Sequence, residues 1–180
     1  MAVEPPASAY DMGHAVEAEA LATFAVLVDN EPGVLHRVVG LFAARGYNIE
    51  SLTVAETDVS AHTSRITIVT RGTPHVLAQI EAQLQKMVST RHVQNVTKDP
   101  NGVERELALI KVRGVGAERV EALRIADIFR AKVIDTQLDS FVFELTGPSS
   151  KIDKFVRLMR PLGLTELSRT GVLSITRGTD

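Results

Sequence analysis

Residues around one sharp turn are the part of this sequence best suited to binding a small molecule. Asn30, Pro32 and Gly33 stand within four residues, directly before a stretch with helical periodicity. A helix that begins there presents free backbone N–H groups, which attract anions such as a carboxylate. Glycine lets a ligand approach the backbone, and the Asn30 amide can donate and accept hydrogen bonds. Taken alone, however, an ordinary turn explains the same residues better.

A second amide, Asn48, stands at the start of the β-rich segment that follows the helix and has no obvious capping role. We expect Asn30, the helix start and Asn48 to lie at the same end of adjacent elements. Two amides and a helix N-terminus suit an amino acid better than a phosphate, which would call for Lys or Arg as well. The pattern therefore predicts an amino-acid sensor.

Catalytic and metal-binding patterns are weak throughout the sequence. The 180 residues include no cysteine, which excludes thiolate catalysis, disulfides and sulfur-ligated metals and fits a reducing compartment, the cytoplasm by default. No two of the five histidines have the i, i+4 spacing of helix-borne metal ligands. Gly114 and Gly116 begin like a dinucleotide fingerprint, but Arg119 replaces its third glycine. These patterns favour a sensor over an enzyme.

The composition indicates a folded protein without a polyanionic or membrane partner. Hydrophobic residues make up 44% of the chain, and 20 Lys+Arg against 22 Asp+Glu give a net charge of −2, so nucleic acid is not favoured. No apolar run approaches the length of about 20 residues that spans a bilayer. The start lacks the basic region of a secretory signal, so we do not expect export.

The elements around the turn form a recognisable pattern. Residues 1–20 have the composition of a flexible extension. Strands are predicted at 23–28, 47–57, 64–70 and 88–97, with helices from about 34 to 46 and from 74 to 87. In the first helix, an apolar face at i, i+3, i+4 and i+7 is expected from Leu35, Val38, Val39 and Phe42. The order βαββαβ predicts a ferredoxin-like α+β domain with both helices on one face.

The turn cluster at 99–102 predicts a boundary, after which a similar rhythm returns. Strands are expected at 106–112, 132–136 and 141–146, with one or two more at 164–167 and 172–176. One helix is predicted at 117–130, with apolar residues Val120, Leu123, Ile128 and Phe129, and another after a capping box at 150–153. A second small α+β domain follows from this pattern, without a residue-level repeat of the first. Its arginines Arg157, Arg160, Arg169 and Arg177 are interpreted as solvated surface.

The stretch at 29–54, DNEPGVLHRVVGLFAARGYNIESLTV, strongly resembles the ACT domain of the small regulatory subunit of acetolactate (acetohydroxyacid) synthase. Four further stretches resemble the C-terminal domain of that subunit: RELALIKV at 105–112, ADIFRAKVID at 126–135, FELTG at 143–147 and KIDKFVRLMRPLGLTELSRTGVLSITRG at 151–178. The resemblance implies an ACT domain at 21–98 for effector binding and dimerisation, and a C-terminal α+β domain at 103–178.

The resemblance also implies a function. A non-catalytic subunit of this kind stimulates a thiamine-diphosphate-dependent catalytic (large) subunit and lets valine inhibit branched-chain amino acid biosynthesis. No cofactor is implied on this chain; thiamine diphosphate, Mg²⁺ and FAD are expected on the catalytic partner. In the family, paired ACT domains hold the effector at their shared interface. On this chain one wall of the valine site would be formed by Asn30, Gly33, Val34 and Leu35, and the other by Asn48 and Ile49.

Three competing interpretations remain. An ACT-type module could sense a different amino acid and act on another enzyme. An RNA-binding protein of this shape would need aromatic residues for base stacking, but the chain has six Phe, two Tyr and no Trp, with no aromatic-rich RNP pattern. A free-standing enzyme would need a nucleophile or acid–base pair, and neither can be named from the sequence.

Overall fold

The computed structural model describes residues 17–178 and has an α+β fold in which two similar units follow one another. The elements of the first unit are β1 (Ala20–Asp29), α1 (Val34–Arg45), β2 (Ile49–Asp58), β3 (Thr63–Gly72), α2 (Pro74–Gln85) and β4 (Thr90–Asn95). Those of the second are β5 (Gly102–Arg113), α3 (Gly116–Phe129), β6 (Lys132–Thr136), β7 (Ser140–Gly147), α4 (Ser149–Met159), β8 (Leu164–Arg169) and β9 (Leu173–Thr176). None of the helices within residues 17–178 is long and apolar enough to cross a membrane.

The first unit has the predicted ferredoxin-like arrangement. Its sheet has the strand order β2-β3-β1-β4 with antiparallel pairing throughout. Apolar residues of the two helices and of one sheet face form its core, including Phe24, Val38, Phe42, Ile68 and Ile80. The expected ends of the helices are also present. Gly46 has a φ of 67° at the end of α1, and the Thr73 hydroxyl accepts the Val76 N–H at 3.4 Å at the start of α2.

The apolar face expected for α1 is only partly buried. Val38 and Phe42 lie in the core together with Val34. Leu35 and Val39 are 38% and 37% exposed, so this stripe of the helix lies at the edge of the core. Helical spacing identifies residues that share a face, but the angle at which a helix packs decides which of them are covered.

The second unit repeats the topology of the first. Its strands follow the order β6-β7-β5-β8, and β9 pairs with the first four residues of β5. The strand order is therefore that of the first sheet, position for position. The core is built around the three rings of Phe141, Phe143 and Phe155, with Ile110 and Ile152. The predicted second α+β unit is confirmed, and its likeness to the first was invisible at the level of residues.

Two details of the second unit differ from the sequence interpretation. The capping box predicted at 150–153 is wrong, because α4 begins at Ser149, two residues earlier than such a box requires, and Pro148 occupies the cap position without a side-chain hydrogen bond. In α3 the buried residues are Ala122, Ile125 and Ala126, whereas Val120 and Ile128 are exposed. The buried side of α3 therefore consists of two alanines and Ile125, and the expected apolar residues Val120 and Ile128 lie on its exposed side.

The connection between the units is short. A 3-10 turn at Val96–Lys98 follows β4, and β5 begins at Gly102, inside the turn cluster predicted as a boundary. The domain limits at residues 98 and 103 stay a prediction. Residues 1–16 of the expected N-terminal extension lie outside the described residues, and Ala20, its last residue, already belongs to β1.

Candidate functional site

The turn between β1 and α1 is held in place from three sides. The Asp29 N–H donates to the Ser89 carbonyl at 2.8 Å, and the Asn30 N–H donates to the His62 carbonyl at 2.7 Å. Arg91 Nε binds Asp29 Oδ1 at 2.6 Å. Backbone bonds to two neighbouring loops thus fix the position of Asn30 and of the residues that begin α1.

The start of α1 offers uncapped N–H groups. Gly33 occupies the cap position with a φ of +84°, provides no side-chain cap, and is followed by a first turn without an acidic residue. The Val34 N–H donates to the Glu31 carbonyl at 3.2 Å, whereas the N–H groups of Leu35 and His36 have no acceptor within the helix. A carboxylate would find two donors and the positive end of the helix dipole here.

Charged side chains near the turn neutralise one another. Glu31 Oε2 accepts from Arg37 at 3.2 Å, and the same Arg37 group donates to the Ser89 hydroxyl at 2.7 Å. Asp29 is paired with Arg91 as described above. These exposed pairs contribute at most about 1 kcal/mol each to stability. Of the acids near the turn, Asp29 and Glu31 thus have cationic partners, whereas the Glu56 carboxylate is bound only by the Asn30 amide.

Among the predicted site residues of the turn, the structure assigns distinct capacities. The Asn30 amide donates to Glu56 Oε1 at 3.1 Å, which leaves its carbonyl oxygen and second N–H hydrogen able to bind a ligand. Leu35 presents an exposed apolar side chain, but Val34 is buried, so that only its backbone can take part. A Cβ on Gly33 would meet nothing within 4 Å. The positive φ therefore accounts for glycine without any ligand.

Asn48 and Ile49 lie at the opposite end of the sheet from the turn. Ile49 is level with Thr70 and hence with Ala22 on β1, whereas Asn30 follows Asp29 at the far end of the same strand. About eight residues of extended strand, roughly 25 Å, separate the two amides along the sheet. The expectation that they share one end was wrong, because α1 carries the chain back along the sheet before β2 begins.

Sequence reasoning missed a partly buried ion pair in the second unit. Arg169 binds Glu106 in a bidentate manner, with both N···O distances at 2.7 Å, and contacts Asp153 Oδ1 at 2.7 Å. The Ser149 hydroxyl donates to Glu106 Oε2 at 2.9 Å. Arg169 is exposed, as interpreted from the sequence, but its guanidinium is held in this ion pair. Residues 63 positions apart form this pair, and no local pattern could have revealed it.

The pair perturbs both ionisation equilibria. Burial would raise the pKa of Glu106, but hydrogen bonds from Arg169 and Ser149 and the charge of Arg169 outweigh burial and lower this pKa overall. The hydrogen bond to Glu106 is the main reason that the pKa of Arg169 is raised. Both groups are therefore charged near neutral pH, with Glu106 only 4% exposed.

Within residues 17–178, no three His, Cys, Asp or Glu side chains are grouped so as to hold a metal ion.

Comparisons with known proteins agree on one family. Residues 105–178 match the family described as the small subunit of acetolactate synthase, and residues 24–92 match the ACT domain of the AHAS small-subunit type. The chain is 47% identical over 156 residues to a probable acetolactate synthase small subunit of Archaeoglobus fulgidus, covering 87% of this chain and 96% of the relative. It is 45% identical over 154 residues to the acetolactate synthase small subunit of Haemophilus influenzae, covering 85% and 93%.

A solved structure shows the same arrangement of both units. The crystal structure of the acetolactate synthase small subunit from Thermotoga maritima superposes with a TM-score of 0.79 at 37% identity. The alignment covers 89% of this chain and 99% of the other. The likeness thus extends over both units and the connection between them.

Proposed function

The chain belongs to the acetolactate synthase small-subunit family, and on that premise we propose that it stimulates the catalytic subunit and confers feedback inhibition by valine in branched-chain amino acid biosynthesis. As a small, regulatory subunit with an ACT domain, it pairs with a catalytic large subunit. Thiamine diphosphate, Mg²⁺ and FAD belong on that partner in this proposal. The observation that carries the valine site is the uncapped start of α1 beside Asn30.

The effector site is proposed to form between two copies of the chain. Asn30, Gly33, Val34 and Leu35 of one copy would face Asn48 and Ile49 of the other. One chain cannot build this site, because the two groups lie at opposite ends of its sheet. β2 is an edge strand, and antiparallel pairing of two β2 strands about a two-fold axis places the start of one beside the end of the other.

The hydrogen bond between Asn30 and Glu56 supports this geometry. Glu56 lies near the end of β2, so the turn that carries Asn30 is tied to that end of the strand. In a β2–β2 pair, the start of the partner strand, with its own Asn48 and Ile49, would come to this end. Leu35 and Val39 on α1 and Val54 on β2 are more than one-third exposed, and such aliphatic residues suit a dimer contact.

The residues offer a complementary group for each part of valine. The N–H groups of Leu35 and His36 would bind the carboxylate, and the amide oxygens of Asn30 and of the partner copy's Asn48 would accept from the ammonium group. The side chain of Leu35 and that of Ile49 across the interface would contact the isopropyl group. An apolar pocket of this type separates ligands that differ by one methylene by only about 1–3 kcal/mol. A sensor of another amino acid is accordingly the alternative.

Valine would act by favouring one arrangement of the complex. A ligand shifts such an equilibrium only through its different affinities for the two states, and about 1–3 kcal/mol is sufficient for substantial inhibition. The second unit is proposed to help hold or activate the catalytic partner. The chain thus supplies regulation, and the chemical step takes place entirely on the other subunit.

Reconstitution tests the proposal. The purified chain is mixed with a candidate acetolactate synthase catalytic subunit, and acetolactate formation is measured with and without valine. We expect the chain to raise activity above that of the catalytic subunit alone and valine to reduce it. Stimulation combined with inhibition by a different amino acid would support the alternative sensor. If the chain neither stimulates the catalytic subunit nor confers inhibition by valine, the main proposal is refuted.

A further inference from the structure

A segment at residues 169–172, here called the connector, bridges β2 of the first unit and β5 of the second. It begins with the last residue of β8 and ends directly before β9. At its first end, Arg169 binds Glu106 through two N···O contacts of 2.7 Å. The Thr170 N–H donates to the Leu107 carbonyl at 3.0 Å, and the Thr170 hydroxyl oxygen accepts the Leu107 N–H at 3.1 Å. The connector is therefore anchored on β5 by backbone and side chain together.

At its other end, the connector binds two hydroxyl side chains of β2. The Val172 N–H donates to Ser51 Oγ at 3.1 Å. Thr53 Oγ1 lies 3.2 Å from the Val172 carbonyl oxygen and 3.4 Å from that of Thr170, and it can donate its single hydrogen to either. Among hydrogen bonds within residues 17–178, those of Ser51 and Thr53 join β2 to the second unit.

Gly171 lets the connector approach β2 this closely. Its φ is +83°, and a Cβ there would lie 2.5 Å from Ser51 Oγ and 3.0 Å from Thr53 Oγ1. Glycine is thus required twice, once by the backbone conformation and once by the contact. A cleft of about 510 Å³ opens beside the connector, lined by residues of both units that include Glu50, Arg71 and Arg169. The connector thus borders this cleft on one side and β2 on the other.

The position of the contact on β2 suggests its role. Ser51 and Thr53 follow Asn48 and Ile49, the wall of the proposed effector site, within five residues on the same strand. Ser51 lies only two positions after Ile49, and the register of β2 against β3 shifts between them, so the effector wall and the connector contact share one irregular stretch of the strand. An adjustment of the start of β2 around a ligand would therefore be felt at Ser51 and Thr53.

We propose that the connector couples occupancy of the effector site to the second unit, so that Thr53, Ser51 and Gly171 position the second unit according to whether valine is bound. This inference rests on the proposed function. A coupling through β2 is measured as a change in valine inhibition at unchanged valine affinity. The variants below separate valine binding from the response to it.

Thr53→Val removes the hydroxyl that bonds the connector at almost unchanged volume, and Thr53→Ser restores that hydroxyl. The matched control is Thr57→Val, on the same strand, where the hydroxyl bonds the Thr63 carbonyl at 3.4 Å within the first unit. In Gly171→Ala the added Cβ would prevent the connector from approaching Ser51 and Thr53 this closely. Its control is Gly178→Ala, which has a similar φ of +89° but no neighbour within 4 Å of the added carbon.

Each variant is assayed in the reconstituted complex for stimulation and for valine inhibition, and valine binding is measured by calorimetry. For Thr53→Val and Gly171→Ala we expect stimulation and valine affinity of the free chain within about twofold of wild type. The valine concentration for half-inhibition should rise at least about fivefold, the lower end of typical allosteric coupling. Thr53→Ser, Thr57→Val and Gly178→Ala should respond to valine as wild type does.

Several results would overturn the inference. Full valine inhibition in Thr53→Val would show that the contact carries no coupling, and loss of valine binding would place the residue in the effector site itself. If Gly171→Ala fails to fold, as judged by circular dichroism, the Thr53→Val and Thr53→Ser pair decides the question. If the wild-type complex shows no valine effect, the proposed function fails first and the coupling role falls with it.

Discussion

Gly33→Asp would place a carboxylate at the proposed carboxylate-binding end of α1. The substituted side chain would compete for the N–H groups of Leu35 and His36 and repel the carboxylate of a bound amino acid. At a separation of about 4 Å, two like charges repel by about 1 kcal/mol in water and about 4 kcal/mol at the effective dielectric constant of a protein surface. Valine affinity should therefore fall by a factor between about 5 and 1000.

Folding should survive this substitution. The φ of +84° disfavours a residue with a Cβ, at a cost of about 1–2 kcal/mol, and the open space around Gly33 adds no clash. Aspartate instead of glycine at a cap position stabilises a helix by only a few tenths of a kcal/mol, and its interaction with the helix dipole adds about 0.3–1 kcal/mol. These gains offset part of the cost, so we expect stimulation of the catalytic subunit to remain while valine sensitivity is lost.

Gly33→Asn is the matched control, because asparagine has the shape of aspartate without its charge and tolerates positive φ. Calorimetry with valine and a titration of inhibition in the reconstituted complex compare the two variants. The reasoning requires the aspartate variant to bind valine at least about fivefold more weakly than the asparagine variant. Equal affinities would refute the electrostatic argument, and full valine inhibition of Gly33→Asp would show that the site lies elsewhere.

Three further substitutions test the framework. Glu106→Gln should lower the free energy of unfolding by about 2 kcal/mol at pH 7, less than for a fully buried pair because Arg169 is 32% exposed. Because the folded-state pKa of Glu106 is lowered, the stability advantage of the wild type should be complete above the unfolded pKa near 4.5 and should disappear as the pH falls through the folded-state pKa. Urea titrations across pH 3–7 measure this dependence. Phe143→Ala should cost about 3–5 kcal/mol by leaving a cavity between two aromatic rings, so a melting temperature within a few degrees of wild type would contradict the assigned core. Gly46→Ala should cost about 1 kcal/mol through its φ of 67° alone, and an unchanged thermal transition would argue against the left-handed end of α1.

Local signals in the sequence predicted the elements well where a single residue decides a boundary. Gly46 ends α1 and Thr73 with Pro74 begins α2, because capping depends on a few neighbouring atoms. The signal failed where a competing partner was distant in sequence. Ser149 lies one residue before the expected capping box at 150–153 and begins α4. Its hydroxyl donates a hydrogen bond to Glu106 on β5. The ion pair of Arg169 was missed for the same reason.

The proposed site illustrates a second limit of sequence reasoning. The residue types around Asn30 and Gly33 predicted a turn and an uncapped helix start, and the structure contains both. The position of Asn48 relative to them depends on the direction in which α1 returns along the sheet, and this was misjudged. The resemblance alone suggested a second copy of the chain. Because the two amides lie at opposite ends of one sheet, the proposed site requires that second copy.

The second unit explains why a shared topology does not imply a second effector site. The start of α3 occupies the position in its unit that the start of α1 occupies in the first. There, however, Glu118 lies in the first helical turn and already brings a negative charge to the N–H groups, and Arg119 is stacked over the Phe141 ring at 3.9 Å. Glu118 would repel an incoming carboxylate, and the Arg119 guanidinium is already stacked on the Phe141 ring. Because α1 has no acid in its first turn, we expect amino-acid binding only at the first unit.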